Sequence, residues 1–208
     1  MVELYVNGGP FMHPLLLMLL FGIAVSIERF WSLWRSSIDT REFFTAVQEA
    51  LKQRGPEGVA EVCASHRGPV ASVLHAGLLR LDRGLEHVEK AIEESGAIEM
   101  AFLEKGMVWL STVANIAPLL GFLGTVSGMI RAFDAIAKAG DVEPSIVAAG
   151  ISEALITTAS GLVIAIPIQA LHNLFVSKID KIIIDMQESS SQFIDELIQA
   201  GYDKPAGE

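Results

Sequence analysis

Apolar positions along the chain fall into three long blocks. Between them lie segments in which apolar and charged residues alternate at helical spacing. The first block, "FMHPLLLMLLFGIAVSIERFWSLW", fills 11–34 and is uncharged as far as Ile27. The second, 106–130, carries no charge, and the third, 151–176, carries one acid, Glu153. A helix rises about 1.5 Å per residue, so about 20 apolar residues cross a hydrocarbon core of roughly 30 Å. Each block therefore predicts a membrane-spanning helix. Glu28 and Arg29 at the end of the first can snorkel to the interface beside Trp31 and Trp34.

The segments between the blocks also read as helical. Asp39 with Glu42 fits an N-cap and a capping-box acid ahead of "REFFTAVQEALKQR", which Gly55 and Pro56 stop. "PVASVLHAGLLRLDR" is a second amphipathic run, ending near Gly84. From Leu85 to Ala137 the only proline is Pro118, which predicts one long helix entering the membrane near Gly106. From Pro144 to about Ala200 the same logic predicts another, with Pro144 in its first turn and Pro167 inside it. Its tail, "KIDKIIIDMQESSSQFIDELIQAG", keeps helical apolar spacing and is expected to pack on the other helices outside the membrane. No β pattern and no internal repeat stand out. The expected fold class is an all-α membrane protein with three transmembrane helices, the second and third extended into a helical cytoplasmic domain.

Charge orients this arrangement. Residues 1–10 hold no Lys or Arg, the 131–150 link holds only Arg131 and Lys138, and nine basic residues lie between the first and second spans. Loops rich in Lys and Arg stay inside. The expected order is a periplasmic N-terminus (1–10), a first span (11–34), a cytoplasmic helical domain (35–105), a second span (106–130), a short periplasmic loop (131–150), a third span (151–176) and a cytoplasmic C-terminal helix and tail (177–208). The N-terminus is expected outside and the C-terminus in the cytoplasm.

Composition narrows the function. The 208 residues are 51% hydrophobic with a mean hydropathy of +0.44, too apolar for an ordinary soluble domain. The net charge of -10 argues against nucleic acid, which needs basic patches. The single Cys63 permits no internal disulfide and reads as a small buried apolar residue. No basic region precedes the first apolar block and no small-x-small site follows it, so no cleavable leader is expected.

Small and polar residues inside the spans carry the chemistry. Ala114, Pro118, Gly121, Thr125 and Gly128 recur at steps of three and four, as do Gly150, Ala154, Thr158, Gly161 and Ala165. Each set shares one helix face. Membrane helices associate through close backbone approach at small residues and through hydrogen bonds. Two such faces predict a tight pairing or a shared wall around a further helix. Thr125 and Thr158 are the polar members of these faces, although a membrane threonine commonly bonds back to the carbonyl four residues earlier. Glu153 reads in two ways. It is an intramembrane acid facing a cavity or partner, or an interfacial acid if the membrane begins later. Glu153 and Thr157 share a face, and Thr158 points away from it. The span centres offer no Asp, Lys or Arg, so a proton path here needs a carrier from another chain. Ser160 and His172 lie too far apart on one helix to form a nucleophile–base pair, and no His-Glu-x-x-His motif occurs. No catalytic residue, metal site or cofactor is expected. A passive membrane scaffold remains the alternative from another class.

"NGGPFMHPLLLMLLFGIAVSIERFWSLW", "LSTVANIAPLLGFLGTVSGMIRAF" and "GISEALITTASGLVIAIPIQALHN" resemble, in order, the three membrane segments of the MotA/TolQ/ExbB proton-channel family. The three-span layout is that of its ExbB-like and TolQ-like branches, and the likeness is greatest to the ExbB-like members. The resemblance implies a non-enzymatic, multi-pass subunit of the bacterial inner membrane. It implies a homo-oligomeric ring, five copies in well-studied members, around single-span ExbD-like or TolR-like partners whose membrane aspartate carries the proton. It further implies a motor that energises a periplasmic or outer-membrane process, TonB-dependent transport above all, through a TonB-like load protein. TolQ-like or gliding-type motors are the alternative within the family. By motif position Thr125, Thr158 and Glu153 match ion-pathway residues. Pro118, Gly121, Gly124, Gly128, Gly161 and Pro167 fall in the helix-packing and ring-wall motifs.

Overall fold

The structure is a computed structural model that describes residues 2–36, 40–139 and 144–202. Those residues form helices α1 (Val2–Asn7), α2 (Met12–Ser36), α3 (Thr40–Ser65), α4 (Pro69–Leu78), α5 (Leu85–Glu104), α6 (Met107–Ala139) and α7 (Pro144–Gln199), with a 3-10 turn at Leu81–Arg83. No strand occurs among the described residues. Among the described residues, three helical stretches are long and apolar enough to cross a membrane, one each in α2, α6 and α7. The expected cap at Asp39 lies outside the described residues.

The structure departs from expectation at two places. The single helix expected over 85–137 is broken. Lys105 turns to an extended conformation (φ -53°, ψ 126°) and Gly106 adopts φ 88°, so α5 ends and α6 starts afresh. The side chain of buried Arg29 lies against this turn, and a Cβ on Gly106 would come 3.3 Å from its Nε. The run expected to end near Gly84 stops at Leu78, and a 3-10 turn fills the remainder. The break at Gly55 agrees with expectation. Its φ of 65° and ψ of -157° interrupt α3, which resumes at Pro56. α7 begins at Pro144 and passes through Pro167 without ending.

The chain divides into two compact units. The first comprises Met1–Arg29 and Gly106–Leu174, and the second Phe30–Lys105 and Phe175–Glu208. The first unit turns large apolar side chains outward. Leu17, Phe122, Val163 and Ile166 are all exposed, while Ala114, Ala117, Ala154 and Ala165 are buried. Leu15, Leu110 and Val113 are buried as well, but so wide an apolar exterior over small-residue contacts suits an apolar solvent, where close backbone approach gains what burial does not. The second unit has an ordinary water-type core. Phe43, Val47, Val59, Leu74, Val88, Phe193 and Leu197 from α3, α4, α5 and the end of α7 pack together in it.

Cys63 lies at the edge of this core, and burial pushes its thiol up from 9.0 to about 11. The thiolate is the nucleophile, so the folded protein at pH 8 should react with iodoacetamide roughly a hundredfold more slowly than the unfolded chain. Equal labelling rates with and without denaturant would contradict this placement.

Candidate ion-path site

α6 and α7 lie antiparallel in the first unit, and glycines set their separation. A Cβ on Gly161 would stand 2.5 Å from the carbonyl oxygen of Ala117 and 3.2 Å from Cα of Gly121. One on Gly121 would stand 2.9 Å from the carbonyl oxygen of Thr157, and one on Gly128 3.2 Å from that of Gly150. Backbone meets backbone at these points, and only hydrogen fits between. Gly124 receives the side chain of Thr157, which is buried and donates to the carbonyl oxygen of Ala154 at 2.9 Å. The small faces read from the sequence thus meet each other.

Thr125 and Thr158 sit in this contact, half-buried, with their hydroxyls directly hydrogen-bonded to one another. Thr158 Oγ1 also reaches the carbonyl oxygen of Gly121 on the opposite helix at 3.1 Å. Thr125 Oγ1 reaches the carbonyl oxygen of Ala154 at 3.2 Å and its own-helix carbonyl at Gly121 at 3.4 Å. Each hydroxyl has one hydrogen to donate. If Thr158 donates to Gly121, Thr125 donates to Thr158. If Thr158 donates to Thr125, Thr125 donates to a carbonyl. The pair therefore has two hydrogen arrangements that differ only in which way the two protons point. Back-bonding within one helix accounts for Thr157 and Ser160, and not for Thr158.

Glu153 lies on α7 between this pair and Pro144. Its carboxylate forms an ion pair with Arg131 of α6 and packs against Gly9, in the turn between α1 and α2. A recess of about 470 Å³ opens beside the pair, walled by Gly128, Ala132, Ala149 and Gly150. Glu153 is thus a paired acid at one end of the α6–α7 contact, and it shares no partner atom with Thr158 among the described bonds.

The structure separates the remaining sequence-derived residues. Pro118 is half-buried on α6, whereas Pro167 is exposed on α7 and lies outside the glycine contacts. Asn115 bonds back to the carbonyl oxygen of Ser111 at 2.8 Å, and Gln169 bonds Asn173 at 2.9 Å. Two contributors were not singled out from sequence: Arg131 read only as a loop charge, and Gly9 carried no reading of its own. Thr157 was visible as a residue on the Glu153 face. Among the described residues no cluster of His, Cys, Asp or Glu could hold a metal ion.

A profile described as the MotA/TolQ/ExbB proton channel family matches residues 65–188. The chain is 29% identical over 180 residues to a biopolymer transport protein ExbB homolog of Methanothermobacter thermautotrophicus, covering 86% of this chain and 64% of that one. It is 34% identical over 174 residues to an ExbB-like biopolymer transport protein of Synechocystis, covering 80% and 66% respectively. It is 39% identical over 98 residues to the Tol-Pal system protein TolQ of Haemophilus influenzae, covering 47% and 41%. The chain thus spans just under two thirds of the length of the first two relatives.

Proposed function

Because the chain belongs to the MotA/TolQ/ExbB proton channel family, we propose that it is the ring-forming subunit of an ion-driven motor. It is a multi-pass inner-membrane protein. Its N-terminus and the α6–α7 link face the periplasm, and its second unit and C-terminal tail lie in the cytoplasm. It works with a single-span partner of the ExbD or TolR kind, whose membrane carboxylate carries the proton past the Thr125–Thr158 pair. Pro118, Gly121, Gly124, Gly128, Gly161 and Pro167 contribute to the ring wall, and Glu153 belongs to the same ion pathway. The assembly acts as a transport energiser, with no covalent catalysis and no cofactor. An ExbB-like load, a TonB-type protein, is the first choice. The likeness to TolQ makes a Tol-type load the second.

One observation carries this reading. Two hydroxyls with interchangeable hydrogen arrangements lie where two spans touch, and the spans around them contain no mid-membrane carboxylate or amine. Neutral hydroxyls can pass or steady a proton and cannot store one, so the titrating group has to come from a partner chain. The test is fluorescence quenching in liposomes, comparing this protein alone with the protein co-purified with an ExbD-like subunit, under proton and sodium gradients. Proton flux is expected only with the partner, and Glu153→Ala is expected to lower it. Equal flux without the partner, or none under either gradient with both partner and load present, would count against the motor reading. Wild-type flux in Glu153→Ala would remove that residue from the pathway.

A further inference from the structure

We propose that Gly9 and Arg131 are positioning residues that hold the Glu153 carboxylate in one place, with the Gly8–Gly9–Pro10 turn acting as its stop. The inference rests on the reading that Glu153 belongs to the ion pathway. Three elements converge on this one carboxylate. α7 supplies it, Arg131 of α6 pairs with its Oε1, and the backbone of Gly9 lies against that same oxygen, beside the recess. A Cβ on Gly9 would overlap Oε1 outright, lie 2.7 Å from Cδ and come 3.3 Å from Nη2 of Arg131. Among the described glycine contacts no other abuts a carboxylate in this way.

The turn itself is tethered. The Gly8 amide donates to the carbonyl oxygen of Leu4 at 3.0 Å, and the Met12 amide donates to that of Gly9 at 3.2 Å. His13 Nδ1 lies 3.2 Å from the carbonyl oxygen of Pro10. Gly9 adopts φ 69°, a conformation that side chains disfavour. The turn is thus braced by its own hydrogen bonds and offers a flat backbone surface to the acid. An ion pair alone leaves a glutamate free to swing about its side-chain torsions. A backbone wall against one oxygen narrows that freedom, so the carboxylate meets a passing ion or a partner group from a restricted position.

The test uses the full complex in liposomes. Gly9→Ala is expected to lower proton flux about tenfold, since displacing a working group by an ångström is costly. Shortening the acid makes room for the added methyl, so Gly9→Ala combined with Glu153→Asp should recover most of the flux of Glu153→Asp alone. Such recovery distinguishes steric positioning from backbone strain, which Glu153→Asp leaves untouched. In parallel, Arg131→Gln should lower flux severalfold and Arg131→Lys should retain it, with no change at the turn. If Gly9→Ala keeps wild-type flux, or is equally defective beside Glu153→Asp, the stop is refuted. If Arg131→Gln keeps wild-type flux, the pairing role is refuted. When Glu153→Ala itself lowers flux, those results remove the positioning role alone. When Glu153→Ala is silent, the pathway reading and this inference fall together.

Discussion

Gly161→Leu is expected to abolish ion flux and to lower the thermal stability of the purified protein. The β-carbon alone would meet the carbonyl oxygen of Ala117 at 2.5 Å and Cα of Gly121 at 3.2 Å. Both are backbone atoms of α6, and backbone cannot step aside as a flexible side chain can. The helices must separate, and overpacking of this kind costs roughly 1–3 kcal/mol or more. Separation also parts Thr158 from Gly121 and from Thr125, because Thr158 lies within a turn of Gly161. Val163→Phe, at an exposed position of the same helix, likewise adds four carbon atoms and serves as the comparison. A Gly161→Leu protein with wild-type melting and flux would show that the α6–α7 spacing is not set by these glycines.

The second large effect is expected at Thr158, where magnitude separates conduction from packing. A hydroxyl bond between membrane helices contributes about 0.6 kcal/mol on average, and up to about 1.7 kcal/mol. Thr158→Val keeps the shape and removes the hydroxyl, so its stability loss should stay below about 2 kcal/mol. Flux should nevertheless fall at least about tenfold if the hydroxyl takes part in ion transfer, a change equal to about 1.4 kcal/mol in barrier. Thr158→Ser restores the hydroxyl and should restore flux. Thr158→Leu adds bulk against the carbonyl oxygen of Gly121 and should lose both flux and partner binding. Flux measured beside thermal melting reads the two effects separately. If flux in Thr158→Val tracks only the small stability change, the hydroxyl is packing glue, as in a passive scaffold.

Much of this architecture was legible along the chain because it depends on local rules. Spans announce themselves by length and lack of charge, Pro144 opens α7 as a first-turn proline does, and Gly55 with Pro56 breaks α3. Each small-residue face follows from helical periodicity, and the folded structure brings the two together. The break at Gly106 was not legible in the same way. A lone glycine is tolerated within helices, and what makes this one a turn is the tertiary neighbourhood, including Arg29 from a different helix. The surroundings of Glu153 were hidden for the same reason. An acid in an apolar block signals that something must face it, but periodicity within one helix cannot name a residue on another. Arg131 and Gly9 reach Glu153 only through the folded arrangement.

The pairing of Glu153 with Arg131 has an electrical consequence. A membrane potential acts on charge, at about 2.3 kcal/mol per elementary charge moved through 100 mV. A solitary carboxylate in this place would be pushed or pulled whenever the hairpin shifted across the field. With its guanidinium beside it the assembly carries no net charge, and the field does almost no work on it. A movement that carries both residues together through such a field would therefore cost little electrical work.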